Sequence, residues 1–340
     1  MRGAGAGGEV ALEVKSLKSK VKSQIHWGIC MKRLTALLAT ILLTACFCRA
    51  ADTPAKIPVL LDTDIGTDID DAFALALVIK SPEFELLGVT TVSGDTAARA
   101  HLAAKFLWEA GGKWRQVPVV AGPPEAAQPI EQTRWADGFV SPQILKESAV
   151  DFLRSELHRH PGQITLIAIG ELTNVAALIK ADPLAAKEIK RIALMGGSIA
   201  RGYGPGSKPE AEWNIKSNPA AARTVLSSGI PIVMAPLDVT AMLKLDAAAR
   251  SRIFSQNTPI TNSLAALYHL WNQETPTLFD PMAVALVLDP GLCQTKELAV
   301  EVDSQGFTRI VDSKTSNTTV GLSTDAAKFF DFYLARVAGE

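Results

Sequence analysis

The chain has 340 residues, with 34 Lys and Arg set against 35 Asp and Glu, and a formal net charge of −1. Hydrophobic residues make up 48% of it, enough for a sizeable core in one large domain or two small ones. This balance excludes a basic nucleic-acid footprint and an acidic tail, and it suits a small neutral or polar ligand.

Residues 1–30 are Gly-rich, then Lys-rich, with no apolar periodicity. They read as a disordered extension or a start codon placed too early. From a second Met at 31 the pattern changes: Lys32-Arg33, an apolar run from Leu34 to Phe47, then Cys48-Arg49-Ala50 before Ala51. The run is shorter than the roughly 20 residues of a membrane-spanning helix. Residues 31–50 therefore read as an export signal, which places the body of the protein in the periplasm or outside the cell. Leu43-Thr44-Ala45-Cys46 also fits a bacterial lipoprotein box, in which Cys46 would carry a lipid anchor and give the one contact with a membrane. Cys30, Cys46 and Cys48 belong to this leader, so the body keeps only Cys293 and no internal disulfide. A lone Cys of this kind reads as a small buried apolar residue.

Residues 56–338 form the main body, where short apolar runs alternate with helical patterns. Strands are predicted at Ile57–Leu61, Phe84–Val92, Val117–Val120, Ile164–Ile169, Ile192–Met195 and Ile230–Ala235. Helices are predicted over Ile69–Lys80, stopped by Ser81-Pro82, and over Ala97–Ala110, stopped by Gly111-Gly112. Leu298–Val302, Gln305-Gly306 and Phe307–Val311 read as a C-terminal hairpin, and Asp325–Val337 as a closing helix. Repeated β-α alternation without a linker or internal repeat implies a single α/β domain, a mostly parallel sheet with helices on both faces. In such sheets ligands bind beyond the carboxyl ends of the strands.

The first strand runs into Asp62-Thr63-Asp64-Ile65-Gly66-Thr67-Asp68-Ile69-Asp70-Asp71, five aspartates in ten residues. Helix capping would use one or two of them. The rest repel one another, and a hard cation with oxygen ligands is the natural neutraliser. An EF-hand loop needs Gly at its sixth position and a late Glu; here Gly66 is fifth and no such Glu follows. A phosphotransferase of the haloacid dehalogenase type would place Thr or Val where Gly66 stands.

The stretch resembles the N-terminal signature of the inosine-uridine-preferring nucleoside hydrolases, Asp-x-Asp-x-Gly followed by Asp-Asp-Ala-x-Ala-Leu. Further matches follow in family order: Val92-Ser93-Gly94-Asp95, Ile169-Gly170-Glu171-Leu172-Thr173-Asn174, Met195-Gly196-Gly197, Ala211-Glu212-Trp213-Asn214 and Phe279-Asp280-Pro281-Met282-Ala283. The resemblance implies a Ca²⁺-dependent enzyme that cleaves the N-glycosidic bond of nucleosides or related ribosides, assembled as a homodimer or homotetramer. It makes Asp64 both a calcium ligand and the general base, with Asp71, Asp280 and the Ile169 carbonyl completing the ligand set. Asp70, Asp95, Met195, Glu212, Trp213 and Asn214 are then expected around the substrate.

The nearby alternatives are plain structural ones. Asp280 before Pro281 could N-cap a helix, Asn174 at a helix start reads as structural, and Met195 is as often core as site.

The chain also departs from the family. Two extra residues separate Gly66 from the Asp70-Asp71 pair, so Asp68 competes with them for a role. Asp95 stands where the family often has Asn, and Gly206 where many members place an Asn that touches ribose. Phe279 occupies the position of a His that would protonate the leaving base, and Phe has no proton to give. Tyr268 and His269, on a helical stretch shortly before, are the candidates to replace it. The competing readings are an exported riboside-binding protein that has lost the acid, and a metal-dependent phosphatase.

Overall fold

Along the first strand, β1 (Ile57–Thr63), Val59 and Leu61 enter one hydrophobic cluster while Leu60 enters another. A strand turns successive side chains to opposite faces. An unbroken apolar run is therefore buried on both sides, as a parallel strand between helical layers requires. The same split recurs in β5 (Thr165–Ala168), where Ile167 faces one layer and Leu166 the other, and in β6 (Arg191–Met195) with Ala193 and Ile192.

The computed structural model describes residues 15–24, 27, 55–126, 130–312 and 316–339. Residues 15–24 are helical and exposed, where the sequence shows no apolar periodicity. The segment 31–50, expected to be an export signal, and Cys46 within it lie outside the described residues. Among the described residues no helix is long and apolar enough to cross a membrane.

A compact unit spans Lys56–Glu340 and is built on one ten-stranded sheet of order β4-β3-β2-β1-β5-β6-β7-β10-β8-β9. The remaining strands are β2 (Phe84–Thr91), β3 (Val119–Ala121), β4 (Ile144–Leu145), β7 (Ile232–Ala235), β8 (Cys293–Val302), β9 (Thr308–Val311) and β10 (Thr318–Thr324). Strands β1 to β7 pair in parallel, and the β8–β9 hairpin is antiparallel. Two strands were not legible in the sequence. β4 is two residues long, and β10, Thr-Thr-Val-Gly-Leu-Ser-Thr, has too little apolar character to signal burial. Yet β10 lies inside the sheet, parallel to β7 and antiparallel to β8.

One face is covered by α1 (Asp70–Lys80), α2 (Thr96–Ala110), α3 (Pro259–Trp271), α4 (Phe279–Leu288) and α5 (Ala326–Val337). The opposite face carries Ala149–Arg159, Thr173–Ala181 and Pro219–Leu226. α1 is buried from Asp70 to Ile79, which is why its sequence is apolar nearly all round. Tyr333 of α5 is fully buried and donates its hydroxyl to the Phe73 carbonyl at 3.0 Å, tying the last helix to the first. Cys293 is buried, and burial pushes its thiol up to about 11.

Strand order reverses between β1 and β5, so a crevice opens at their carboxyl ends. The Ile169 N–H donates to the Asp62 carbonyl at 2.9 Å, bringing the residues after β5 against the aspartate loop. Gly170 lies at this junction. A Cβ there would stand 2.9 Å from the Asp64 nitrogen and 2.7 Å from Val92 Cγ1. Gly170→Ala should therefore cost about 1–3 kcal/mol through overpacking. Gly204→Ala, whose Cβ would meet only Ser207 at 3.8 Å, should leave the melting temperature unchanged. Thermal melts of the two variants check this, and equal melting temperatures would remove the claimed contact.

Candidate active site

The aspartate loop is held by Arg99, a buried residue of α2. Its Nη1 donates to the carbonyls of Asp64 and Ile65, the latter at 3.0 Å. Nη2 donates to Thr67 Oγ1 at 2.8 Å, and Nε to the Ser93 carbonyl at 2.8 Å. Gln132 Nε2 adds a bond to the Asp68 carbonyl at 2.9 Å. The loop turns at Gly66, whose φ of +115° disfavours any side chain. Beneath it Asp62 is fully buried and accepts from Thr90 Oγ1 and from Asn174 Nδ2, the latter at 2.7 Å. Asn174 is thus a structural brace.

α1 then begins with Asp70 and Asp71, and α4 delivers Asp280 from the far end of the chain. Asp280 is not an N-cap. Leu278 holds that position, and Asp280 sits in the first turn with its N–H donating to Asp70 Oδ2 at 3.1 Å. Carboxylate oxygens of Asp70, Asp71 and Asp280 lie within 4.8 Å of one another, all three residues buried. Thr63 Oγ1 donates to Asp71 Oδ1.

These three line a cavity of about 380 Å³ together with Asp64, Thr67, Asp68, Ile169, Met195, Tyr203, Glu212, Trp213, Asn214, Trp271, Gln273 and Phe279. This volume is in the range of small-molecule sites.

Burial raises the pKa of every carboxyl in the cluster. For Asp70, Asp71 and Asp280 the neighbouring carboxylates add to it, and all three stand well above the usual range. Asp64 is also raised by burial, but the Arg99 guanidinium works against the shift. Burial raises Asp68 too. The Ile69 N–H, donating to Asp68 Oδ1 at 2.7 Å, opposes this, as do the nearby Trp271 indole and Lys244; the indole Nε1 is buried and has no partner at hydrogen-bond distance among the described residues. Oxygen donors crowded this way, with so little positive charge beside them, fit a hard divalent cation.

The opposite wall comes from the segment after β6. Glu212 N-caps the short helix Trp213–Ser217 and accepts from the N–H groups of Gly197 (2.9 Å), Asn214 (3.0 Å) and Ile215 (3.2 Å). Burial nevertheless pushes its carboxyl up to about 7. Asn214 Nδ2 donates to the carbonyls of Ile169 at 2.9 Å and Met195 at 3.2 Å, which leaves Oδ1 free of these contacts. Trp213 is about half exposed at the rim.

Three residues expected at the substrate lie elsewhere. Asp95 is exposed and caps α2, accepting from the Ala98 N–H at 2.9 Å. Tyr268 donates its hydroxyl to the Glu274 carbonyl at 2.7 Å, His269 is exposed, and neither lines the cavity. Their helix does reach the site through its last residue, Trp271, and Gln273 joins it just beyond the left-handed Asn272. Arg99, Tyr203, Trp271 and Gln273 were not singled out from sequence. Arg99 looks like a surface residue of an Ala-rich helix, and Tyr203 lies in a Gly/Pro-rich loop without periodicity.

A parallel α/β sheet with a buried oxygen-donor cluster at its switch point has the makings of a metal-dependent enzyme site. Residues 59–331 match the family described as inosine-uridine preferring nucleoside hydrolase. A non-specific ribonucleoside hydrolase RihC of Escherichia coli (strain SMS-3-5 / SECEC) is 36% identical over 304 residues, covering 83% of this chain and 98% of that protein. A solved purine-preferring ribonucleoside hydrolase from Gardnerella vaginalis aligns with a TM-score of 0.70 at 26% identity, over 83% of this chain and 98% of that one. The plant nucleoside hydrolase PpNRh1, 24% identical, shares the fold with a TM-score of 0.73 over 84% of this chain and 100% of that one. The chain belongs to the inosine-uridine-preferring nucleoside hydrolase family, and is a glycosidase that hydrolyses N-glycosyl compounds.

The raised carboxyls make a pH prediction. A group whose folded pKa is raised stabilises the fold below its unfolded value and loses that contribution as pH rises through the folded one. With Asp62 and Glu212 both pushed to about 7, and the cluster raised too, chelator-treated protein should melt at falling temperature as pH climbs through this range. Excess divalent cation should flatten the trend by pairing the charged forms. A chelated protein with a flat profile between about pH 5 and 8 would contradict this.

Proposed function

We propose that this pocket hydrolyses the N-glycosidic bond of ribonucleosides to ribose and free base, using Ca²⁺ held by Asp64, Asp71, Asp280 and the Ile169 carbonyl. The observation that carries the reading is the buried trio Asp70, Asp71 and Asp280 opening into the same cavity as Asp64. Bound there, calcium would supply charge that lowers the pKa of a water and orients it.

The protein's own groups do the rest. Asp64, whose carboxyl burial raises and Arg99 pulls partly back, takes the proton of the attacking water. The C–N bond breaks through an oxocarbenium-like ribosyl, and the surrounding carboxylates favour its positive charge. Asp70 accepts from a ribose hydroxyl. Glu212 and the Asn214 Oδ1 hold the remaining hydroxyls, with Met195 packing beside the sugar.

Ribose release from a panel of ribonucleosides, with calcium and then with a chelator, tests the reading. Chelator-sensitive release is expected. Folded, calcium-loaded protein that releases no sugar would overturn it in favour of a riboside-binding protein. Asp64→Asn should lower kcat by about 10²–10⁴-fold, the range of a lost general base, while leaving the melting temperature close to that of the parent. Near-normal turnover in that variant would remove Asp64 from the role.

A further inference from the structure

The base leaves with the electron pair of the C–N bond, so it needs a hydrogen-bond donor, and Phe279 cannot be one. Several polar side chains line the cavity. Thr67 lies in the aspartate loop, its Oγ1 accepting from Arg99, and the Asn214 amide donates to two backbone carbonyls. The Trp271 Nε1 is buried with no partner at hydrogen-bond distance among the described residues, and it acts on Asp68 of the aspartate loop. Gln273 is exposed.

Tyr203 differs. Its ring packs edge-on against Phe279, with centroids 5.9 Å apart and planes at 81°. Its hydroxyl oxygen accepts from the Trp213 N–H at 2.8 Å. Among the described residues nothing accepts the hydroxyl hydrogen. The loop that presents it is fixed, since the Tyr203 N–H donates to Glu210 Oε1 at 3.1 Å and the Glu210 N–H to Ser198 Oγ at 3.0 Å. Asp238 accepts from the Ile199 and Ala200 N–H groups at 2.8 Å each, anchoring the same loop.

We propose that the Tyr203 hydroxyl is the donor to the departing base, doing from this loop what Phe279 cannot. The inference rests on the nucleoside hydrolase reading above. In the step, the C1′–N bond breaks with its electron pair passing to the base, and the water oxygen bonds to C1′. The water proton goes to Asp64. The base, its charge stabilised by the Tyr203 O–H, takes one proton from solvent, and Asp64 returns one to solvent. Burial and the nearby Glu212 hold the Tyr203 pKa above its ordinary value, so it remains a protonated donor across the neutral range.

The test compares leaving groups. Tyr203→Phe keeps the ring against Phe279 and removes only the hydroxyl. On inosine and uridine, kcat should fall by about 10–100-fold, somewhat less than the loss of a full oxyanion-hole donor. On p-nitrophenyl riboside, whose phenolate leaves without help, turnover should stay within about twofold. Equal losses on both kinds of substrate would mark Tyr203 as structural, and undiminished nucleoside turnover would also overturn the proposal. Parent enzyme inactive on every nucleoside would instead sink the underlying reading, and this inference with it.

Discussion

Asp64, Asp70, Asp71 and Asp280 are all buried, and their carboxylates repel one another. A buried charge without a partner is expensive, and several of like sign side by side are worse. The surrounding architecture answers to this constraint. The sheet places the cluster at its switch point, where the carboxyl ends of β1 and β5 diverge. α1 and α4 each enter the cluster through the first helical turn, where carboxylates are favoured by the helix dipole. Arg99 supplies fixed positive charge and pins the loop carbonyls, so the acidic side chains are left for another partner. The oxygen-only donor set suits a hard divalent ion better than a softer metal.

The two walls of the cavity divide the chemistry. The wall from β1, α1 and α4 is acidic and carries the carboxylate cluster. The wall from the segment after β6 is aromatic and hydrogen-bonded through Glu212, Asn214 and Tyr203. Asn214 links them, because its amide donates to the carbonyls of both Ile169 and Met195. The substrate-facing shape of the second wall therefore depends on the end of β5. Glu212 acts in the same way from its capping position: three backbone N–H groups hold its carboxylate, and burial still raises it to about 7.

Much of this was legible before the structure. The apolar runs of β1, β2, β5, β6 and β7 stand out because parallel strands are buried on both faces. The aspartate loop is visible because five acids in ten residues exceed what capping uses. What was not legible depends on tertiary contact. β10 is polar in sequence but fills a gap between β7 and β8. Arg99 carries no local sign of its bonds to a loop more than thirty residues away. On the helix Pro259–Trp271 the sequence points to Tyr268 and His269, whereas Trp271 and, just beyond the left-handed Asn272, Gln273 line the cavity. Asp95, expected at the substrate, is followed by Thr-Ala-Ala-Arg, an ordinary helix start, and it caps that helix.

The account turns on a cation exchanging for protons in the carboxylate cluster, and calorimetric calcium titration in buffers of different ionisation enthalpy tests that most directly. Carboxyls raised by burial and mutual repulsion hold protons when no metal is bound, and binding must expel them. The account predicts a single ion per chain, release of about one proton or more near neutral pH, and loss of binding in Asp280→Asn. Calcium that binds without releasing protons, or that binds unchanged in Asp280→Asn, would contradict it.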